Sequence, residues 1–137
     1  MYNSESELVN KFIDVLLNDT IWDVQTISTE FNYLRGKTDI VILSSNNEVI
    51  AVEAKLSKWR NALHQAYRNK CFADKSYVLL PLETAETAAK YKVEFKKRGI
   101  GICCIEENRV TIFEEAITDE PLQPWLRQIA IKHALEE

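Results

Sequence analysis

Two neighbouring stretches, Thr38-Asp-Ile-Val-Ile-Leu43 and Glu48-Val-Ile-Ala-Val-Glu-Ala-Lys55, decide how this chain folds. Each is a run of β-branched and apolar residues of strand length. The turn signature Ser44-Ser-Asn-Asn47 stands between them, so they read as the two arms of a hairpin. Charges interrupt both arms: Asp39 in the first, Glu53 and Lys55 at the end of the second. Strand residues two apart point to one face, so Glu53 and Lys55 project together with Ala51, while Ile50, Val52 and Ala54 face the other way.

Upstream, Leu8, Phe12, Val15 and Leu16 recur at helical spacing over about residues 4–18, and Ser4-x-x-Glu7 forms a capping box. Residues 20–28 read as a weak strand, and 31–43 as a strand whose second half is the apolar arm already quoted. Downstream, Ser57 can cap a helix over 57–72 in which Trp59, Leu63 and Ala66 supply an apolar stripe. Tyr77-Val-Leu-Leu80 has the all-apolar character of a strand buried on both faces. Residues 83–98 suit a helix closed by Gly99, segments 100–105 and 109–113 two further strands, and a last helix after Pro121 and Pro124 carries Trp125, Ile129 and Leu135. The early strands make an antiparallel meander, and the helix at 57–72 crosses over to a parallel strand. The expectation is one α/β domain over 1–137, a central mixed sheet flanked by helices, with an αβββαβ core at about 4–81 and an αββα extension at 82–137.

Composition sets the outer limits. The 137 residues are 46% hydrophobic and 28% charged, with only 3 Gly and 3 Pro, which excludes wholesale disorder and collagen-like repeats. No apolar run approaches the roughly 18 residues of a membrane span, and the opening MYNSESELVN lacks the pattern of a secretory signal. A soluble, cytoplasmic protein without membrane contact is expected. A net charge of −4 excludes a uniformly basic surface but leaves room for a local basic cleft. Cys71, Cys103 and Cys104 show no metal-binding spacing and read as buried, reduced thiols.

Three charges in sheet strands cost several kcal/mol per ion unless they satisfy one another or hold a cation. Asp39 and Glu53 are hard oxygen donors suited to Mg²⁺ or Mn²⁺, which bind through one or two carboxylates plus water and substrate phosphate. Lys55 beside such a cation is a candidate to orient or deprotonate an attacking water, or to stabilise charge on a phosphorane. A Glu-x-Lys at a strand end is by itself an ordinary solvated pair. The Asp in the preceding apolar strand, the turn between them and the helix that follows weigh against that reading.

Asp39 followed by Glu53-Ala-Lys55, in the order helix, strand, strand, strand, helix, strand, resembles the PD-(D/E)xK nuclease superfamily, which has the restriction-endonuclease-like fold. The resemblance covers about residues 4–81. Glu7 matches the acidic residue that Holliday-junction-resolvase-like and RecB-like members carry on their first helix near the metal. Gln65, in Ala62-Leu-His-Gln-Ala-Tyr-Arg68, matches the polar helix residue of RecB-like members. Thr38 stands where many members have Pro, and Asn69 where a RecB-type Gln-x-x-x-Tyr pattern has Tyr. The resemblance implies a Mg²⁺-dependent (or Mn²⁺-dependent) nuclease hydrolysing phosphodiester bonds, most of all in DNA. Asp39, Glu53 and the Ala54 carbonyl would hold the metal with help from Glu7, Lys55 would serve the water, and Gln65 would orient the group.

Each flanking feature also has a plainer reading. Glu7 is the third residue of the capping box, and Gln65 reads equally as a solvent-facing helix residue. Residues 55–70 hold Lys58, Arg60, Arg68 and Lys70 with no acidic residue, which fits contacts to a nucleic-acid backbone or a solubilising helix face. Trp59 fits core packing or base stacking, His64 reads as exposed, and Trp125 as a dimer contact or a cover for the sheet. Without a target-recognition module, a homodimer acting on both strands is expected. The competing functional class is a non-catalytic module of the same fold that binds nucleic acid or a protein partner; an ordinary α/β domain with solvated charges is the third.

Overall fold

The computed structural model describes residues 2–33 and 36–136. The elements run α1 (Glu5–Leu17), β1 (Val24–Tyr33), β2 (Gly36–Ser44), β3 (Val49–Ala54), α2 (Trp59–Arg68), a 3₁₀ turn (Asn69–Cys71), β4 (Lys75–Leu79), α3 (Leu82–Ala89), α4 (Lys92–Arg98), β5 (Gly101–Glu106), β6 (Arg109–Glu114) and α5 (Pro124–Glu136). The strands form one mixed sheet in sequential order β1 to β6. Pairing is antiparallel for β1–β2 and β2–β3, parallel for β3–β4 and β4–β5, and antiparallel for β5–β6. The α/β sheet with flanking helices, the hairpin and the crossover to a parallel fourth strand are all as the sequence led one to expect. Among the described residues no helix is long and apolar enough to cross a membrane.

Two expected elements divide differently. The strand expected over 31–43 splits: Phe31 to Tyr33 end β1, Gly36 begins β2, and the part of that expected strand at 34–35 lies outside the described residues. The helix expected over 83–98 is α3 and α4, separated at Lys90 and Tyr91. Gly99 closes α4 with φ 74°, a left-handed cap that glycine adopts without strain.

Helices pack on both faces. Leu8, Phe12, Val15 and Leu16 of α1 bury against Ile40, Ile42, Ile50 and Val52, with Tyr77 and Leu79 from β4. Across the sheet, α5 lays Leu126, Ala130 and Ala134 onto Val41, Leu43, Val49 and Ala51. Trp125 and Ile129 point outward instead, 54% and 48% exposed. The small alanines let α5 lie close to the sheet, which the larger side chains on its other flank would prevent. A separate cluster joins Trp59, Leu63 and Ala66 of α2 to Phe95, Ile100 and Ile102, so Trp59 is a core residue, not a platform for a base.

Candidate active site

On β2, Ile40 and Ile42 pack toward α1, and Val41 and Leu43 toward α5. Strict alternation would therefore turn Thr38 toward α1. It does the reverse: its hydroxyl donates to Asn69, on the side where Val41 packs. The neighbouring strand changes hand at the same level, with Ile27 packing toward α1 and Phe31, four residues on, toward α5. Between Thr29 and Phe31, the register partners of Ile40 and Thr38, lies Glu30, whose φ of 53° is left-handed. One left-handed residue in an extended strand reverses which face the following side chains occupy. The reversal brings Asp39 into a cleft of about 370 Å³ with Glu5, Ser6, Val9 and Asn10 of α1, and with Glu30 and Lys37.

An L-residue in this conformation costs about 1 kcal/mol, which glycine avoids. Glu30 has little to lose, since its ion pair with Lys37 spans 3.6 Å at the surface. Glu30→Gly is expected to leave the urea midpoint unchanged or raise it. Glu30→Val, β-branched and ill-suited to positive φ, should cost about 1–2 kcal/mol. Equal midpoints for the two variants would remove the strain argument.

The β2–β3 ladder ends at Ile40–Val52. The Ala54 amide, next on that edge of β3, donates to Asp39 Oδ2 at 2.9 Å. Glu53 is 2% exposed, and its Oε1 accepts a 2.9 Å hydrogen bond from Asn69 Nδ2. Burial first, then the charge of Asp39 beside it, push Glu53 up to about 8 from 4.5; the Asn69 hydrogen bond and the Lys55 ammonium pull the other way. Lys55 lies just past the end of β3, where strand alternation no longer governs it, and its ammonium reaches Glu5 of α1 at 3.8 Å. The expectation that Glu53 and Lys55 share a face with Ala51 holds for Glu53, which turns to Asn69 on the α5 side where Ala51 packs, and is corrected for Lys55, which swings toward α1.

Glu53 carries a pH signature. An unfolded glutamate ionises near 4.5 and this one near 8, so the folded metal-free protein favours the protonated form. That contribution to stability is complete below the unfolded value and is lost as pH rises through the folded one. Glu53→Gln keeps the site neutral and can still accept from Asn69. In EDTA it should raise Tm by roughly 5 °C at pH 8.5 and change it little at pH 5. A difference that does not grow with pH would contradict the assignment.

The acidic residue that α1 brings to the cleft is Glu5. Glu7 is exposed, and its backbone amide donates to Ser4 Oγ at 3.1 Å as the capping box requires. Two residues are roughly 200° of helix rotation, which turns Glu7 away from the face that Glu5 presents. Gln65 lies one helical turn before Asn69 on the same flank of α2, and its Oε1 is buried without a hydrogen-bond partner among the described residues.

The basic segment is largely committed within the protein. Arg60 pairs with Glu94 at 3.1 Å and lies over the rings of Trp59 and Tyr91. Lys70 donates to Asp119 at 2.7 Å and to the Arg98 carbonyl at 2.9 Å. Arg68 lies against Gly36 and Tyr33, beside the Asn69 network. Lys58 and His64 are exposed.

Asn69 itself, entirely buried, accepts at Oδ1 from Tyr33 Oη at 2.5 Å and from Thr38 Oγ1 at 2.8 Å. Burial, with Cys71 and Glu53 nearby, holds the Tyr33 hydroxyl up to about 12, so it stays a donor at neutral pH. Sequence reasoning noted Asn69 only as the residue standing where a tyrosine was sought. Its spacing from Gln65, one helical turn, was the signal that it faces the same strand.

The architecture, a mixed sheet with its charged residues gathered where β2 and β3 part, is the restriction-endonuclease-like fold. A protein of unknown function from Silicibacter pomeroyi matches with a TM-score of 0.69 at 13% identity, over 99% of this chain and 87% of that one. A repair endonuclease from Pyrococcus abyssi matches with a TM-score of 0.51 at 16% identity, over 77% of this chain. This chain spans 48% of that endonuclease, about half its length. At such identities the likeness is one of fold. No protein-family model matches the chain, and no curated protein matches it significantly.

Proposed function

We propose that the protein is a divalent-metal-dependent nuclease that hydrolyses phosphodiester bonds, with DNA as the expected substrate. The observation that carries this reading is the apposition of Asp39 and Glu53, two carboxylates in strands of one sheet whose closeness helps hold a proton on Glu53. Among the described residues no group of three or more His, Cys, Asp or Glu side chains is arranged to hold a metal. Two carboxylates suffice for Mg²⁺, which keeps several waters and completes its shell with substrate phosphate. The pair therefore fits such an ion, with the Ala54 carbonyl, on the β3 edge that Asp39 already meets, as a further oxygen donor.

When bound, the cation would polarise the scissile phosphate and make a coordinated water more acidic. Lys55, a quarter exposed and reaching the cleft residue Glu5, would hold a mobile point charge for an entering phosphate oxygen. Its Nζ donates to the attacking water or to the phosphorane oxygen as the new P–O bond forms and the leaving alkoxide departs. Glu5 keeps that ammonium turned toward the cleft until substrate competes for it. Gln65 Oε1, buried without a hydrogen-bond partner among the described residues, orients the reacting group. Lys58 and Arg68 supply backbone contacts, fewer than the basic segment first suggested. Cutting both strands of a duplex calls for two such domains acting together, for which a homodimer is the simplest arrangement.

The test is cleavage of labelled single-stranded, duplex and branched DNA, and of RNA, with Mg²⁺ or Mn²⁺ and with EDTA as control. Metal-dependent cutting supports the nuclease. The competing reading, a binding module of the same fold, draws support from the internal pairing of Arg60 and Lys70 and from the lack of a third acidic ligand among the described residues. It requires retention of nucleic acid or a protein without cutting under any metal.

A further inference from the structure

Asn69 presents its amide nitrogen to Glu53 Oε1, and that oxygen accepts whether Glu53 is ionised or carries its proton on the second oxygen, toward Asp39. That leaves Oδ1 on the far side, where two hydroxyl donors, Tyr33 and Thr38, use both of its lone pairs. Every polar atom of the Asn69 side chain that these contacts involve has one permitted role, and flipping the amide would set oxygen against oxygen. The two hydroxyls come from β1 and β2 and the amide from the end of α2, so three elements meet at the Asn69 side chain, which alone reaches the carboxylate oxygen.

We propose that Tyr33, Thr38 and Asn69 form a positioning relay that holds Glu53 by its Oε1 and leaves its second oxygen for the Asp39 side of the site. The assignment of that second oxygen to a divalent cation rests on the nuclease reading; the relay itself does not. Tyr33 never touches Glu53 directly and acts only through the amide. Its ring is held separately, stacked on Phe31 at 5.7 Å and edge-on to Phe72 at 5.2 Å, so Tyr33→Phe removes the hydroxyl and keeps the packing.

The first measurement uses the metal-free protein: urea unfolding of Tyr33→Phe, Glu53→Gln and the double variant. The relay predicts that the midpoint shift of the double variant differs from the sum of the single shifts, although the two side chains are not in contact. Additive shifts overturn the proposal. Thr38→Val, which removes the other hydroxyl, provides a second cycle if one variant folds poorly. The second measurement is Mn²⁺ calorimetry on the folded proteins. Tyr33→Phe is expected to weaken binding by about 10-fold, the usual effect of losing an outer hydrogen bond to a ligand. Tyr67→Phe, an exposed tyrosine on α2, should leave binding unchanged. Coupled unfolding with unchanged Mn²⁺ affinity in Tyr33→Phe also overturns the relay, because the network would then be structural only. Coupled unfolding with no Mn²⁺ binding by the wild type supports the relay as the holder of Glu53 and removes the cation reading instead.

Discussion

Lys55→Ala protein, folded like the wild type, is expected to cleave nucleic acid about 10³-fold more slowly at saturating Mg²⁺. The side chain is partly exposed and packs into no core cluster, and the backbone amide at this position keeps its 3.2 Å bond to the Leu79 carbonyl in any variant. Stability should therefore change little while the charge at the reacting phosphate disappears. Asp39→Asn should lose activity to a similar extent and also weaken Mn²⁺ binding, which Lys55→Ala should not. Glu5→Gln, which removes only the partner of Lys55, should cost about 10-fold. Lys132→Ala on the outer surface of α5 serves as the control at full rate, since its ion pair there is exposed. Initial rates on one labelled substrate decide the matter, and wild-type cutting by Lys55→Ala would end the catalytic assignment.

The largest effect on stability should come from Gly101→Ala. Gly101 is the register partner of Tyr77 across the parallel β4–β5 pair. A Cβ there would lie 2.4 Å from Tyr77 Cδ2 and Cε2 and 2.8 Å from the Ala116 backbone nitrogen. Neither neighbour can give way. Tyr77 is fully buried, packed on Trp22 at 4.8 Å and hydrogen-bonded to Glu115 at 3.0 Å. Forcing the ring aside should cost about 3 kcal/mol, a fall in Tm of roughly 10 °C for a domain of this size. Thermal unfolding would measure it, and a shift below about 2 °C would mean that the ring has room to move.

Some residues declared their places through local periodicity alone. The α1 stripe, its Ser4 cap, the hairpin, the all-apolar β4 and the Gly99 cap each needed only their own segment to be read. Helix α5 shows where that logic stops. Trp125 and Ile129 lie four residues apart, and so do Leu126, Ala130 and Ala134. Both sets are helical stripes, and only the sheet below selects the smaller one. Glu5 and Glu7 pose the same problem at the site: the capping box identified the helix start, but not which carboxylate would meet Lys55.

Sequence by itself determined the α/β class, the strand pair carrying Asp39, Glu53 and Lys55, and the chemistry those groups permit, because side-chain period and charge are properties of a segment. Tertiary structure alone decided the rest: the reversal of face at Glu30, the turn of Lys55 toward Glu5, the internal commitment of Arg60 and Lys70, and the anchoring of Glu53 by Asn69. Those outcomes depend on partners far away in the chain, 49 residues for Lys70 and Asp119 and one more for Lys55 and Glu5. A buried polar group takes whichever partner the packing brings within hydrogen-bonding distance.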